Sequence, residues 1–164
     1  MIKHKLNNAF TLIEMLVVIS LIGVLAGLAV VSYGAAQKQA RDTTRKSDMK
    51  QYQTALEMYA NLSNGLFPAV SGGTAITATT ACGYLNSRLE PDISCSQDPK
   101  ISADPTYYDY RYIASSGTAG SASSSNYVIW AKIENSSTTK YWVVCSNGKN
   151  GESSSIPSSA TCPI

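Results

Sequence analysis

The sequence predicts an α+β fold, one long N-terminal helix packed on a small antiparallel sheet of about three strands. Three observations carry this expectation. An uncharged apolar run extends from Met15 to Tyr33, an apolar stripe at steps of three and four extends from Met49 to Leu62, and three short runs rich in Tyr, Val, Ile and Trp occupy the last third of the chain. A chain of 164 residues with one such helix leaves roughly 100–120 residues for a single small head domain and no second one.

The 19 residues from Met15 to Tyr33 contain no Asp, Glu, Lys, Arg, His or Pro. At about 1.5 Å per helical residue they span most of the ~30 Å apolar core of a bilayer. Lys3, His4 and Lys5 precede the run without any acid, so the positive-inside bias places the N-terminus in the cytoplasm and the rest of the chain outside. A cleaved secretory signal peptide is a poor fit, because its apolar stretch is about 7–15 residues long and carries no acid near its start. An ordinary signal anchor fits the length but leaves Glu14 unexplained. A charge in the apolar core of a bilayer costs roughly 2.5–3.5 kcal/mol and marks a functional position.

The helix is expected to continue beyond the membrane. Gln37 to Asp48 contains neither Gly nor Pro, and Met49, Tyr52, Leu56, Tyr59 and Leu62 then form one apolar stripe. Asn64-Gly65 supplies a C-terminal stop, with Pro68 close behind. The result is one helix of roughly 50 residues, apolar in its first half and amphipathic in its second. Gly23-x-x-x-Gly27 has the spacing that lets membrane helices approach closely.

Val70 to Thr106 is rich in Ser, Thr, Ala, Gly and Pro and shows no sustained period, so it reads as a long connection. The strands expected after it are Tyr107 to Ala114, Tyr127 to Ile133 and Tyr141 to Cys145. Alternation in the second sets Tyr127, Ile129, Ala131 and Ile133 on one face, where they should cover Met49, Tyr52, Leu56 and Tyr59, and sets Val128 and Trp130 on the other. The serine-rich stretch Ser115 to Asn126 reads as a solvated linker, with adhesion as the functional alternative.

All four cysteines, Cys82, Cys95, Cys145 and Cys162, fall on the side expected to be external, where disulfides form. Three connectivities are open. Cys82 with Cys95 and Cys145 with Cys162 are preferred, since each closes a local loop poor in apolar residues and a loop of ~15 residues contributes about 3 kcal/mol. A four-thiolate zinc site would lack any Cys-x-x-Cys pair.

Catalysis finds no support in the residue pattern. The only histidine is His4, and no nucleophile, base and orienting group recur together. Asp92, Asp98, Asp104 and Asp109 raise calcium as a cofactor class, yet they lack the spacing of a calcium loop and read first as turn formers beside Pro91, Pro99 and Pro105. No metal ligand is assigned. Lys38, Arg41, Arg45, Lys46 and Lys50 cluster, interrupted by Asp42 and Asp48. They read as a solvated, salt-bridged stretch where the helix leaves the bilayer, with DNA or anionic headgroups as the alternative partners. Losing Lys3 and Lys5 from the 13 basic side chains would leave 11 against 11 acids, which argues against a constitutive nucleic-acid surface.

The hexapeptide Ala9-Phe10-Thr11-Leu12-Ile13-Glu14 resembles the processing site of type IV pilins and of the pseudopilins of type II secretion systems. The order of long helix, connecting loop, small sheet and irregular tail is similar to a pilin head, which extends the resemblance past the first third. The resemblance implies that residues 1–9 are a basic leader, cut off by a prepilin peptidase between Ala9 and Phe10, and that the new amine of Phe10 is methylated. The family usually has Gly before the cut, where this chain has Ala9. Residues 10–36 then form the transmembrane, polymerising half of the helix, and residues 37–164 the extracytoplasmic head. Glu14 becomes the fifth residue of the mature chain, the family's position for an intramembrane glutamate that pairs with the Phe10 amine of a neighbouring copy. The implied function is that of a structural subunit of a type IV pilus-like filament serving adhesion, twitching motility or DNA uptake. Its partners are copies of itself, the prepilin peptidase, the pilus or secretion machinery and the cytoplasmic (inner) membrane, with the filament displayed on the cell surface. The alternatives are a pseudopilin of a secretion system and, from another class, a monomeric signal-anchored binding module.

Overall fold

The computed structural model describes residues 10–70, 74–76, 80–89, 95–105, 108–115 and 117–164. Ala9 with the rest of the leader, Asp92, and the expected strand start at Tyr107 lie outside the described residues. The chain forms two compact units, Met1–Gln37 and Lys38–Ile164.

Helix α1 is Leu12–Asn61, 50 residues long. Its end is set by backbone chemistry. Asn64 at φ 55° and Gly65 at φ 79° occupy the left-handed region, and the Gly65 N–H donates to the Ala60 carbonyl at 2.8 Å. That is the six-to-one bond of a Schellman stop, which needs a residue tolerant of positive φ. The turn falls at the expected Asn64-Gly65, but the last helical residue is Asn61. Leu62, expected in the apolar stripe, therefore lies past the helix and is 59 % exposed.

In the second unit the three expected strands form the middle of a larger sheet. β3 (Arg111–Ala114), β5 (Tyr127–Ile133) and β6 (Lys140–Cys145) are flanked by β2 (Thr74–Ala75) and β7 (Asn150–Ser153). The order is β2-β3-β5-β6-β7, antiparallel throughout. Trp130 pairs with Arg111 on one side and Val143 on the other. A second, two-stranded ribbon joins β1 (Phe67–Pro68) to β4 (Ala122–Ser124). The serine-rich stretch thus contains a strand, and Pro68 sits in an edge ribbon, where its missing N–H costs least. The expected connection from Val70 to Thr106 also holds β2 and a short helix α2 (Ala81–Asn86).

The sheet buries both faces. Tyr127, Ile129 and Ala131 pack with Met49, Tyr52, Leu56 and Tyr59 in the main core, joined by Tyr112, Ala114 and Val144. Phe67 and Tyr127 meet edge to face, ring centroids 4.6 Å apart, an arrangement that adds about 0.5–1.5 kcal/mol beyond burial. The opposite face gathers Ile113, Val128, Trp130, Val143 and Cys145 into a smaller core, against which Cys162 and Ile164 of the C-terminal tail pack. All seven residues of β5 are buried.

Candidate functional site

Two places in the chain combine charge with an unusual setting, one in each unit. In the first, Thr11 begins α1 as its N-cap. The Thr11 Oγ1 accepts from the Glu14 backbone N–H at 3.2 Å, and the Met15 N–H donates to the Thr11 carbonyl at 3.3 Å. Glu14 is therefore the third helical residue, where a carboxylate faces the unpaired amides and the positive end of the helix dipole. Phe10 directly precedes the cap and is 73 % exposed.

From Phe10 to Leu28 every large apolar side chain is exposed. An added Cβ at Gly23 or Gly27 would meet nothing within 4 Å. The Ser20 hydroxyl is satisfied within the helix, its Oγ donating to the Val17 carbonyl at 2.8 Å. By length and composition Leu12–Leu28 and Tyr33–Asn61 meet a membrane-crossing criterion as a pair, whereas no single helix among the described residues does. An apolar surface of this extent on a folded chain calls for a lipid or protein cover.

The second place corrects the reading of the basic cluster as a solvated stretch. Arg45 is 0 % exposed. Its Nε and Nη2 donate to Oδ2 and Oδ1 of Asp98 at 2.5 and 2.9 Å, its Nη1 donates to Asp42 Oδ1 at 2.7 Å, and its Nη2 lies 2.6 Å from Glu134 Oε1. Arg41 holds Glu134 with a second fork, at 2.9 and 2.7 Å, and Lys100 Nζ approaches Glu134 Oε2 at 3.1 Å. The Asp42 carboxylate also accepts from the backbone N–H groups of Glu134 and Asn135. Tyr108 adds its ring, with the Arg45 guanidinium 5.5 Å and the Lys100 amine 5.3 Å from its centroid. Arg41, Arg45 and Lys100 thus face Asp42, Asp98 and Glu134, and the charges balance.

The electrostatic consequences follow. The hydrogen bond from Arg41, seconded by those from Arg45 and Lys100, outweighs burial and holds the Glu134 carboxyl at about 2. Burial pulls the Arg45 guanidinium down, yet its bonds to Asp98, Glu134 and Asp42 prevail and raise it. Asp48 is different: burial pushes its carboxyl up, partly opposed by the hydrogen bond from the Tyr110 hydroxyl, 2.6 Å from Oδ2.

The other members of the basic cluster are dispersed. Lys46 lies over the Trp142 ring at 4.4 Å, Lys50 Nζ donates to Gln53 Oε1 at 2.9 Å, and Lys38 is exposed. Asp98 does form the expected turn, accepting from the Lys100 N–H at 2.7 Å, but its principal partner is Arg45. Asp109 pairs with Arg111 at 3.2 Å. Among the described residues no group of three or more His, Cys, Asp or Glu is arranged to hold a metal ion.

Disulfides join Cys82 to Cys95, Cα atoms 5.9 Å apart, and Cys145 to Cys162, 5.6 Å apart. Sequence reasoning did not find the partners of Arg45. Asp42, three residues before it on the helix, was legible as an i,i+3 pair. Asp98 lies 53 residues from Arg45 and Glu134 lies 93 residues from Arg41, and nothing local marks them.

A family model described as the prokaryotic N-terminal methylation motif matches residues 4–30. The type II secretion system core protein G of Pseudomonas aeruginosa is 31 % identical over 121 residues, an alignment covering 72 % of this chain and 80 % of that protein. No solved structure matches the chain.

Proposed function

We infer the function from kinship, since this chain belongs to the type IV pilin and pseudopilin family and is accordingly a filament subunit. The single observation that carries the mechanism is the helix surface from Phe10 to Leu28, with every large apolar side chain exposed and one carboxylate, Glu14, at its start. In lipid such a surface gains nothing from apolar contact alone, because lipid tails are as apolar as its own side chains. Packing and polar pairing must drive association instead.

Cleavage between Ala9 and Phe10 supplies the missing partner. It leaves a cationic amine on Phe10, which meets Glu14 of a neighbouring copy in a staggered bundle. The pair is strong in apolar surroundings, offset by desolvation, and it sets the axial register. The Gly23 and Gly27 positions, open in the free chain, are where neighbouring helices approach closest. The head stays outside the membrane, and the role is structural. Prepilin peptidase, the inner membrane and an assembly machine are the partners this scheme requires.

Kinship with a secretion core protein over 80 % of that protein's length favours a pseudopilus as the setting over a surface pilus serving adhesion, motility or DNA uptake. Peptide mass spectrometry on protein sheared from cells and on the membrane fraction tests both levels. A methylated Phe10 terminus supports the mechanism; found only in membranes it supports the pseudopilus, and in the sheared fraction the surface pilus. An uncut chain beginning at Met1 overturns the mechanism and leaves the signal-anchored module. Glu14→Gln is expected to insert normally and to form no filaments.

A further inference from the structure

We propose that the Cys82–Cys95 disulfide is the latch of the head's ion cluster, so that opening this bond releases Asp98 from Arg45 and makes the head locally responsive to thiol redox state. The inference concerns the head alone and does not rest on the assembly mechanism.

Cys82 is fully buried in α2, among the same core residues as Ala81, Leu85 and Met49. Cys95 is therefore tied to a fixed point. Two of the three residues that follow Cys95 supply partners to the helix: the Ser96 carbonyl accepts from the Tyr52 hydroxyl at 2.7 Å, and the Asp98 carboxylate takes the Arg45 fork. Residues 95–105 contain neither helix nor strand. The backbone bonds of Ile101, Ala103 and Asp104 reach back only to Asp98 and Lys100. The ties from this segment to α1, α2 and the end of β5 include these side-chain bonds, the Lys100 contact with Glu134 and the disulfide.

An ion pair buried to this degree is favourable only when its members are already in place, since desolvation offsets much of the attraction. The disulfide supplies that placement by closing the 13-residue separation from Cys82 to Cys95. Without it, ordering the segment and desolvating Asp98 must be met by the ion pair itself. Arg45 would retain Asp42 and Glu134, and solvent would reach the side Asp98 leaves.

Opening requires a dithiol reductant. Its thiolate attacks one sulfur to give a mixed disulfide and one protein thiolate, and its second thiol displaces the other. The balance is two protein thiols and one cyclic disulfide for each bond opened. The Cys145–Cys162 bond lies in the smaller core with Trp130 and Val128, on the sheet face opposite the main core, and serves as the internal control.

The test is a double-mutant cycle on the full chain in detergent, read as urea midpoints. Asp98→Asn is expected to lower the midpoint in the parent chain and in the Cys145→Ser/Cys162→Ser background alike. In the Cys82→Ser/Cys95→Ser background its effect should be at least ~threefold smaller, because the contact is already lost. An undiminished effect there overturns the proposal. Should that background fail to fold, the parent chain opened with dithiothreitol and blocked with iodoacetamide is digested with trypsin. Cleavage after Lys100, in the segment that Asp98 anchors, that is faster than in the unopened chain while Lys132 in β5 stays protected supports a local latch. An unchanged rate at Lys100 with Cys82 and Cys95 alkylated, or simultaneous cleavage at Lys132, overturns it.

Discussion

Arg45 is a guanidinium whose every direction is taken by protein. Truncating it by Arg45→Leu would leave Asp42, Asp98 and Glu134 facing one another around an apolar gap, and removing one partner of a buried pair costs about 3–5 kcal/mol. The expected outcome is a correspondingly lower urea midpoint at pH 7, with Arg45→Lys recovering only part of it, because an ammonium cannot form the fork. Glu134 gives the acid dependence. Its folded value of about 2 lies below the ordinary 4.5, so it contributes stability that is present above the ordinary value and is lost as pH falls through the folded one. Acid unfolding is expected to steepen over that window, and Glu134→Gln to flatten it. Asp48 has the opposite sign. Raised by burial, it contributes stability below its unfolded value that is lost as pH rises through the folded one. Asp48→Asn keeps an acceptor for the Tyr110 hydroxyl and removes a buried charge, so its urea midpoint at pH 7 should equal or exceed that of the parent chain. A clear fall would show that the charge is compensated.

At the scale of elements, the start and end of α1 are decided by a few side chains. Thr11 caps the first turn, and Thr11→Val should cost about 1 kcal/mol locally, read as roughly fivefold faster amide exchange at Glu14. Thr11→Ser should retain protection. The far end depends on Asn64 and Gly65, both with positive φ, which made the stop readable from the dipeptide alone. The helix was legible from its apolar period, and the three central strands from runs rich in Tyr, Val, Ile and Trp. β1, β2, β4, β7 and α2 were not, since they are short, lack such runs and are stabilised by neighbours.

For the molecule as a whole, the C-terminal tail closes a second core that no single segment announces. Cys145–Cys162 pins it over Trp130, Val128 and Val143. Its removal by Cys145→Ser/Cys162→Ser should cost about 3 kcal/mol and red-shift tryptophan emission as Trp130 meets water. Filament formation, which the proposed assembly assigns to the other unit, should survive, as electron microscopy of sheared or membrane fractions would show.

Local chemistry alone determined the long helix with its apolar first half, Glu14 close to its start, the alternation of β5, and the family, because each is written in residues adjacent on the chain. Tertiary structure decided the rest. The basic stretch that looks solvated becomes a buried clamp only because Asp98 arrives from 53 residues beyond Arg45 and Glu134 from 93 residues beyond Arg41. A lysine or arginine on a helix carries no mark of whether it faces water or a carboxylate. Burial belongs to the assembled fold, where the cost of removing a charge from water is met by partners that the local sequence does not contain.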